Sequence, residues 1–215
     1  MEKYSNIIRI DPDSPQPNLI QKAADFISKG EIVTFPTFCL YGLAADAFSA
    51  SAVRRIFEIK RRSPKKPLLV LIKNRDCLLP LVKSIPRAAE TIMDRFWPGR
   101  ITLVFEAKKE VPEFLTAGTG KIGIRMPFHK VAVAIVNALE NPIIGTSANI
   151  SDQEGSAGVA DLPAEIIRQT SLVLDAGLLK GGPGSTVIDI TTTPPQILRE
   201  GEIPSKEIYN ALELS

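Results

Sequence analysis

Apolar residues recur at helical spacing between Asn18 and Lys29, on Leu19, Ile20, Ala23, Phe26 and Ile27, and the run stops at Gly30. That pattern predicts an amphipathic helix with a glycine stop, followed by a buried strand over Glu31 to Phe35 closed by Pro36. The segment Pro36 to Leu43 then reads as a loop. Ser51 is placed to cap a helix whose apolar face is Val53, Ile56, Phe57 and Ile59, and whose last turn runs into Lys60-Arg61-Arg62. Positive charge there suits the negative end of the helix dipole. Continuous apolar runs of strand length follow at Pro67 to Ile72 and Ile101 to Phe105, separated by a helix over Ala88 to Phe96 that ends before Pro98-Gly99. Further strands are predicted at Lys121 to Arg125, Pro142 to Gly145, Leu172 to Asp175, Ser185 to Ile190 and Gln196 to Arg199. Helices are predicted at Lys130 to Leu139, Pro163 to Thr170 and Ser205 to Leu212.

This inventory holds more strands than a five-stranded doubly wound fold. The link from Ser185 to Arg199 is too short for a helical crossover, so those strands must pair antiparallel. The fold class that follows is α/β: a twisted, mixed parallel and antiparallel open sheet with helices packed on it. No linker, charge block or internal repeat marks a boundary, so residues 1–215 are expected to form a single domain.

Composition narrows the picture. The chain has 215 residues, 44% of them apolar, which suits a packed core, and a formal charge of +2, too near neutral to argue for wrapping nucleic acid. Met1 to Ser5 and the short Ile7 to Ile10 stretch lack the apolar region of a signal peptide, and no segment approaches the ~20 apolar residues that span a bilayer. Two cysteines, Cys39 and Cys77, form neither a disulfide framework nor a metal-binding spacing. The expectation is a cytosolic protein without a membrane partner and without a protein-held metal. A single histidine, His129, argues against Ser-His-Asp hydrolysis and multi-histidine metal chemistry.

Four segments could carry chemistry. Lys60-Arg61-Arg62-Ser63-Pro64-Lys65-Lys66 puts five cations in seven positions between a helix and a buried strand, either a phosphate clamp or a solvated basic turn. Gly145-Thr146-Ser147-Ala148-Asn149 follows a buried strand, where hydroxyl and amide donors in an α/β sheet can reach phosphate or ribose, although such residues also serve ordinary turns. Pro36-Thr37-Phe38-Cys39-Leu40-Tyr41-Gly42-Leu43 also lies just past a strand. Arg125 ends a strand and is followed by Met126-Pro127, a position from which its fork can hold a carboxylate. No GxxxxGK[ST] or GxGxxG cradle exists, and Gly181-Gly182-Pro183-Gly184-Ser185-Thr186 lacks the lysine of a P-loop. His129 is expected at a helix start on the surface, Cys77 half-buried or buried, and Trp97 in the core.

Taken together the segments resemble the YrdC/Sua5/YciO family, whose pattern includes a PTxTxYGL loop, a KxRPxxxPL segment, an RxP strand end, an SAN turn and an STVxD strand. The resemblance extends over roughly Asn18 to Gly201. It implies a YrdC-like fold and a reaction in which L-threonine, bicarbonate and ATP give threonylcarbamoyl-adenylate and pyrophosphate. The activated group then passes, through downstream threonylcarbamoyl-transfer proteins, to A37 of tRNAs that read ANN codons. By the same resemblance Lys60 and Arg62 stabilise charge in catalysis. Lys60, Arg62, Lys66, Ser147, Asn149 and Arg199 would bind ATP, while Thr37, Cys39, Tyr41, Arg125 and Ser185 would contact threonine. Mg²⁺ arrives on ATP. No protein nucleophile is needed, because the carbamate itself attacks.

The chain departs from the family pattern at four places. Phe38 and Cys39 stand where many synthases have a carboxylate and a hydroxyl, and Lys66 and Leu71 stand where Asn and His are common. These changes point towards a YciO-like paralogue with slow or different activity, including a changed amino acid. A reading from another class is a non-catalytic module that follows tRNA or double-stranded RNA through phosphate contacts.

Overall fold

The computed structural model describes residues 4–213. Ten strands form one sheet in the order β1-β8-β2-β3-β7-β4-β6-β5-β9-β10. They are β1 (Ile7–Arg9), β2 (Val33–Pro36), β3 (Tyr41–Asp46), β4 (Leu69–Leu71), β5 (Ile101–Glu106), β6 (Lys121–Arg125), β7 (Ile143–Ser147), β8 (Leu172–Asp175), β9 (Thr186–Asp189) and β10 (Gln196–Arg199). Pairing is mixed, as expected: β1/β8, β2/β8, β4/β6 and β5/β9 run parallel, and the other neighbours antiparallel, β9/β10 among them. The outermost positions of the expected 1–215 domain, residues 1–3 and 214–215, lie outside the described residues.

Two strands were not anticipated. The short β1 adds to the sheet edge beside β8. Tyr41–Asp46 pairs with β2 on one side and β7 on the other, so the family-like segment is a hairpin running into the middle of the sheet. The second helix also starts two residues earlier than expected. Ser49, not Ser51, is its cap, accepting a hydrogen bond from the Ala52 amide through Oγ.

Helices α1 (Pro17–Ser28) and α5 (Lys130–Asn137) pack on one face of the sheet, over β2 and β3. Their buried residues form a core with Val33, Phe35, Ala44, Leu71, Ile143, Leu172 and Leu174. The opposite face carries the larger core, with α2 (Ala50–Ile59), α3 (Arg87–Phe96), α6 (Ala164–Gln169) and α7 (Ser205–Glu213) contributing to it. The short α4 (Glu113–Thr116) completes that side through Leu115.

On β6 the alternation is decisive. Ile122 and Ile124 enter the larger core, while Lys121, Gly123 and Arg125 point to the face that α1 and α5 cover only over the other half of the sheet. Strand residues alternate between faces, so the same logic turns Thr102 and Val104 of β5 and Val187 and Asp189 of β9 towards that face. The uncovered half of the sheet is the floor of a cavity.

Candidate functional site

The cavity has a volume of about 970 Å³. Its floor is β5, β6 and β9, and its walls are the β2–β3 loop, the end of β7, the α5 amino terminus and the glycine-rich segment before β9. Of the residues expected to act there, Thr37, Cys39, Tyr41, Arg62, Arg125, Ser147, Ser185 and Arg199 line it. Lys60, Lys66 and Asn149 do not.

Lys60 is the carboxyl-terminal cap of α2 and is only 2% exposed. Its Nζ donates to the Ser147 carbonyl, to the Asn149 carbonyl at 2.7 Å and to Asn149 Oδ1 at 3.1 Å. Asn149 in turn donates through Nδ2 to the carbonyls of Ile150 and Gln153. Both residues are therefore internal ties that fix the turn after β7, and neither lines the cavity. A buried ammonium needs oxygen partners, and the turn supplies three. Burial, aided by the nearby Arg62 charge, pushes the Lys60 pKa down to about 7. What the brace presents to the cavity is Ser147, whose Oγ donates to Asn149 Oδ1.

The basic loop divides. Arg61 takes a left-handed conformation (φ 48°) and turns outward to Glu165 at 2.8 Å. Lys66 is exposed, pairs with Asp152 at 3.3 Å and does not line the cavity. Arg62 alone of the five cations lines the cavity; its Nε and Nη2 donate to the carbonyls of Lys66 and Pro67, closing the loop on itself.

Arg125 ends β6, and no carboxylate or carbonyl meets its guanidinium among the described residues; its Nε is buried without a partner. Burial and the neighbouring Arg199 charge bring its pKa down to about 10. An arginine remains charged at neutral pH even so, and such a cation is a ready seat for an anion. Arg199 is held by Ser185, donating to its carbonyl at 2.7 Å and its Oγ at 3.2 Å, while Thr102 Oγ1 shares Ser185 Oγ at 2.9 Å. Arg62, Arg125 and Arg199 thus face one space with no carboxylate paired to any of them among the described residues.

Tyr41 lines the cavity, and its hydroxyl is engaged within the protein. Its hydroxyl donates to the Gly177 carbonyl at 2.7 Å, lies 3.3 Å from Asp175 Oδ1 and accepts from the Ala176 amide at 2.9 Å. It joins the hairpin to the end of β8. The Cys39 thiol is buried, and that burial together with the Glu202 charge raises its pKa, which keeps it protonated. Leu71, one of the departures, is fully buried against Gly145 and does not reach the cavity.

Other cavity residues escaped sequence reasoning. Arg100, Phe128, Lys121, Asp189 and His129 all line it. His129 was expected on the surface, yet it is half-buried, with Nδ1 sealed and unpartnered and its pKa lowered by burial. Lys121 was recoverable from strand alternation, since it shares a face with Arg125. Asp189 closes the STVxD-like strand and binds Lys121 at 2.8 Å. Trp97 is in the core and Cys77 half-buried, both as expected. No group of three or more His, Cys, Asp or Glu side chains suited to a metal occurs among the described residues, and none of their helices is long and apolar enough to cross a membrane.

A family model for Sua5, YciO and YrdC, described as Telomere recombination, matches residues 25–201. The threonylcarbamoyl-AMP synthase of Pyrococcus abyssi is 40% identical over 193 residues, covering 90% of this chain and 57% of that protein. The crystal structure of P. abyssi Sua5 complexed with L-threonine superposes with a TM-score of 0.88 at 36% identity, covering 96% of this chain and 60% of the other. E. coli YciO superposes with a TM-score of 0.84 at 29% identity, over 95% of this chain and 99% of its own. The chain spans little more than half the length of the first curated relatives, 57% and 55%.

Proposed function

This chain belongs to the Sua5/YciO/YrdC family, and we propose that it synthesises threonylcarbamoyl-AMP from L-threonine, bicarbonate and ATP. Threonine's amine and bicarbonate give a carbamate with loss of water. A carbamate oxygen then bonds to the α-phosphorus of ATP, the bond from that phosphorus to the bridging oxygen breaks, and pyrophosphate leaves. The threonylcarbamoyl group goes on to A37 of tRNA through downstream transfer proteins, a cytosolic step.

The observation that carries this reading is the set of three arginines, Arg62, Arg125 and Arg199, around one cavity without carboxylate partners among the described residues. Three anions must be gathered there: a carboxylate, a carbamate and a triphosphate. Fixed cations offset their repulsion and hold the carbamate oxygen near the α-phosphorus. Arg125 takes the threonine carboxylate, and Arg62, Arg199 and Ser147 take the phosphates. Lys60 and Asn149 act as positioning residues through the turn they hold. Mg²⁺ would arrive with ATP as part of that substrate and would help offset the charge of its phosphates.

The test is pyrophosphate release with each of the three substrates omitted in turn. Release should require all three, and threonine-independent release would sink the reading. Arg125→Ala should raise the KM for threonine by about tenfold or more while leaving the KM for ATP nearly unchanged, because one charge-assisted hydrogen-bonding partner is lost on one substrate only.

A further inference from the structure

The end of the cavity beside Arg125 is walled by two aromatic rings. Phe38 of the β2–β3 loop and Phe128, three residues past Arg125, meet with ring centroids 4.8 Å apart at an interplanar angle of 40°. The Arg100 guanidinium lies over both, 4.5 Å from the Phe38 centroid and 5.6 Å from that of Phe128. Lys180 approaches Phe38 at 5.3 Å. Glu202, its side chain 10% exposed, takes both cations, Arg100 at 3.0 Å and Lys180 at 2.7 Å. Arg100 is thus neutralised and stacked, which leaves Arg125 as the free cation for a substrate carboxylate at this end. Phe38, Cys39 and Arg125 line the same cavity, so ring wall and anchor share one space.

The hydroxyls of Thr37, Ser185 and Tyr41 are engaged within the protein. Thr37 Oγ1 donates to the Leu40 carbonyl at 2.6 Å, Ser185 Oγ is held between Thr102 and Arg199, and the Tyr41 hydroxyl is bound at the end of β8. Cys39 offers a weak thiol, and His129 Nδ1 is sealed from the cavity. A substrate methyl group meets aromatic carbon here, whereas Thr37 and Ser185 meet a substrate hydroxyl with partners already in place.

We infer that Phe38 and Phe128 set the amino-acid preference of the chain: the side chain of an amino acid anchored on Arg125 rests on these rings and is selected by shape, so valine is accepted alongside threonine. This inference rests on the synthase reading and deepens it. A site built to hydrogen-bond a hydroxyl rejects the analogue lacking it by about 10⁴-fold or more, while an apolar pocket separates such isosteres by about 10²-fold at most.

The experiment compares kcat/KM for threonine and valine in pyrophosphate release with ATP and bicarbonate. A threonine-to-valine ratio within about 10²-fold is expected, and a larger ratio overturns the inference while leaving the synthase reading intact. Phe38→Leu should keep the ratio, and Phe38→Glu should move it at least about tenfold towards threonine by placing an acceptor beside the substrate hydroxyl. A folding defect lowers both rates together, so an unmoved ratio in Phe38→Glu also overturns it. If neither amino acid supports release, calorimetric titration with ATP present decides: valine binding as tightly as threonine sinks the synthase reading alone, and binding of neither sinks both.

Discussion

Lys60 shows how the surroundings of a residue are set by groups far along the chain. A lysine at the end of an amphipathic helix, in a run of five cations, reads as a phosphate ligand, yet its ammonium turns inward to the three oxygens of the Ser147 to Asn149 turn. Local periodicity cannot show that a turn far along the chain will supply those oxygens. The burial has a measurable consequence. With its pKa lowered to about 7 from an ordinary 10.5, Lys60 binds fewer protons folded than unfolded between those two values. The unfolded chain then holds the extra proton, so this group makes the folded state gain stability as pH rises through that window, its full cost being felt below about pH 7. Urea midpoints measured from pH 7 to pH 9 should therefore rise less with pH in Lys60→Met than in the natural chain, and equal slopes would refute the assignment. Arg125, by contrast, was legible because the end of a strand is a fixed place: β6 stops where it was expected to stop, and the fork is left facing the cavity.

At the scale of elements, the β2–β3 hairpin is the piece that sequence reasoning lost. Tyr41–Asp46 is buried on both faces over most of its length, so it has none of the polar alternation that marks a half-exposed strand. Its small residues and Gly42 look like turn composition, and Pro36, read as a stop, is instead the last residue of β2. The hairpin is anchored by the Tyr41 hydroxyl against the end of β8, and this predicts a clean separation of stability from binding. Tyr41→Phe should lower the unfolding free energy by about 1–3 kcal/mol, since the Gly177 carbonyl and Ala176 amide lose their buried partner. The KM for threonine should stay within about twofold, because the lost hydroxyl points at β8 and not at the substrate. Urea denaturation and steady-state kinetics on the same preparation measure both, and a large rise in KM with unchanged stability would restore Tyr41 to the threonine site.

The whole molecule makes its site by leaving half of one sheet face bare. The mixed character of that sheet was legible because short links such as the one before Gln196 exclude helical crossovers. The strand order was not, since β3, β7, β4 and β6 become neighbours through pairings distant in sequence. Nor could sequence show that α1 and α5 stop short of β5 and β9, which is what turns Arg62, Arg125 and Arg199 into the lining of one hollow. Because these cations repel one another and lack carboxylate partners among the described residues, a polyanion should stabilise the folded chain and do so through charge. ATP at a hundredfold excess over its Kd raises the unfolding free energy by about 2.7 kcal/mol, a shift of several degrees in Tm for a chain of this size. Adding salt at a fixed ATP concentration should shrink that shift, because the cavity is open to solvent and its charges are screened. Adenosine, which carries the base and ribose without the phosphates, should produce little of it. If adenosine matched ATP, or if the ATP shift were indifferent to salt, the three arginines would not be the source of binding and the phosphates would have to lie elsewhere on the molecule.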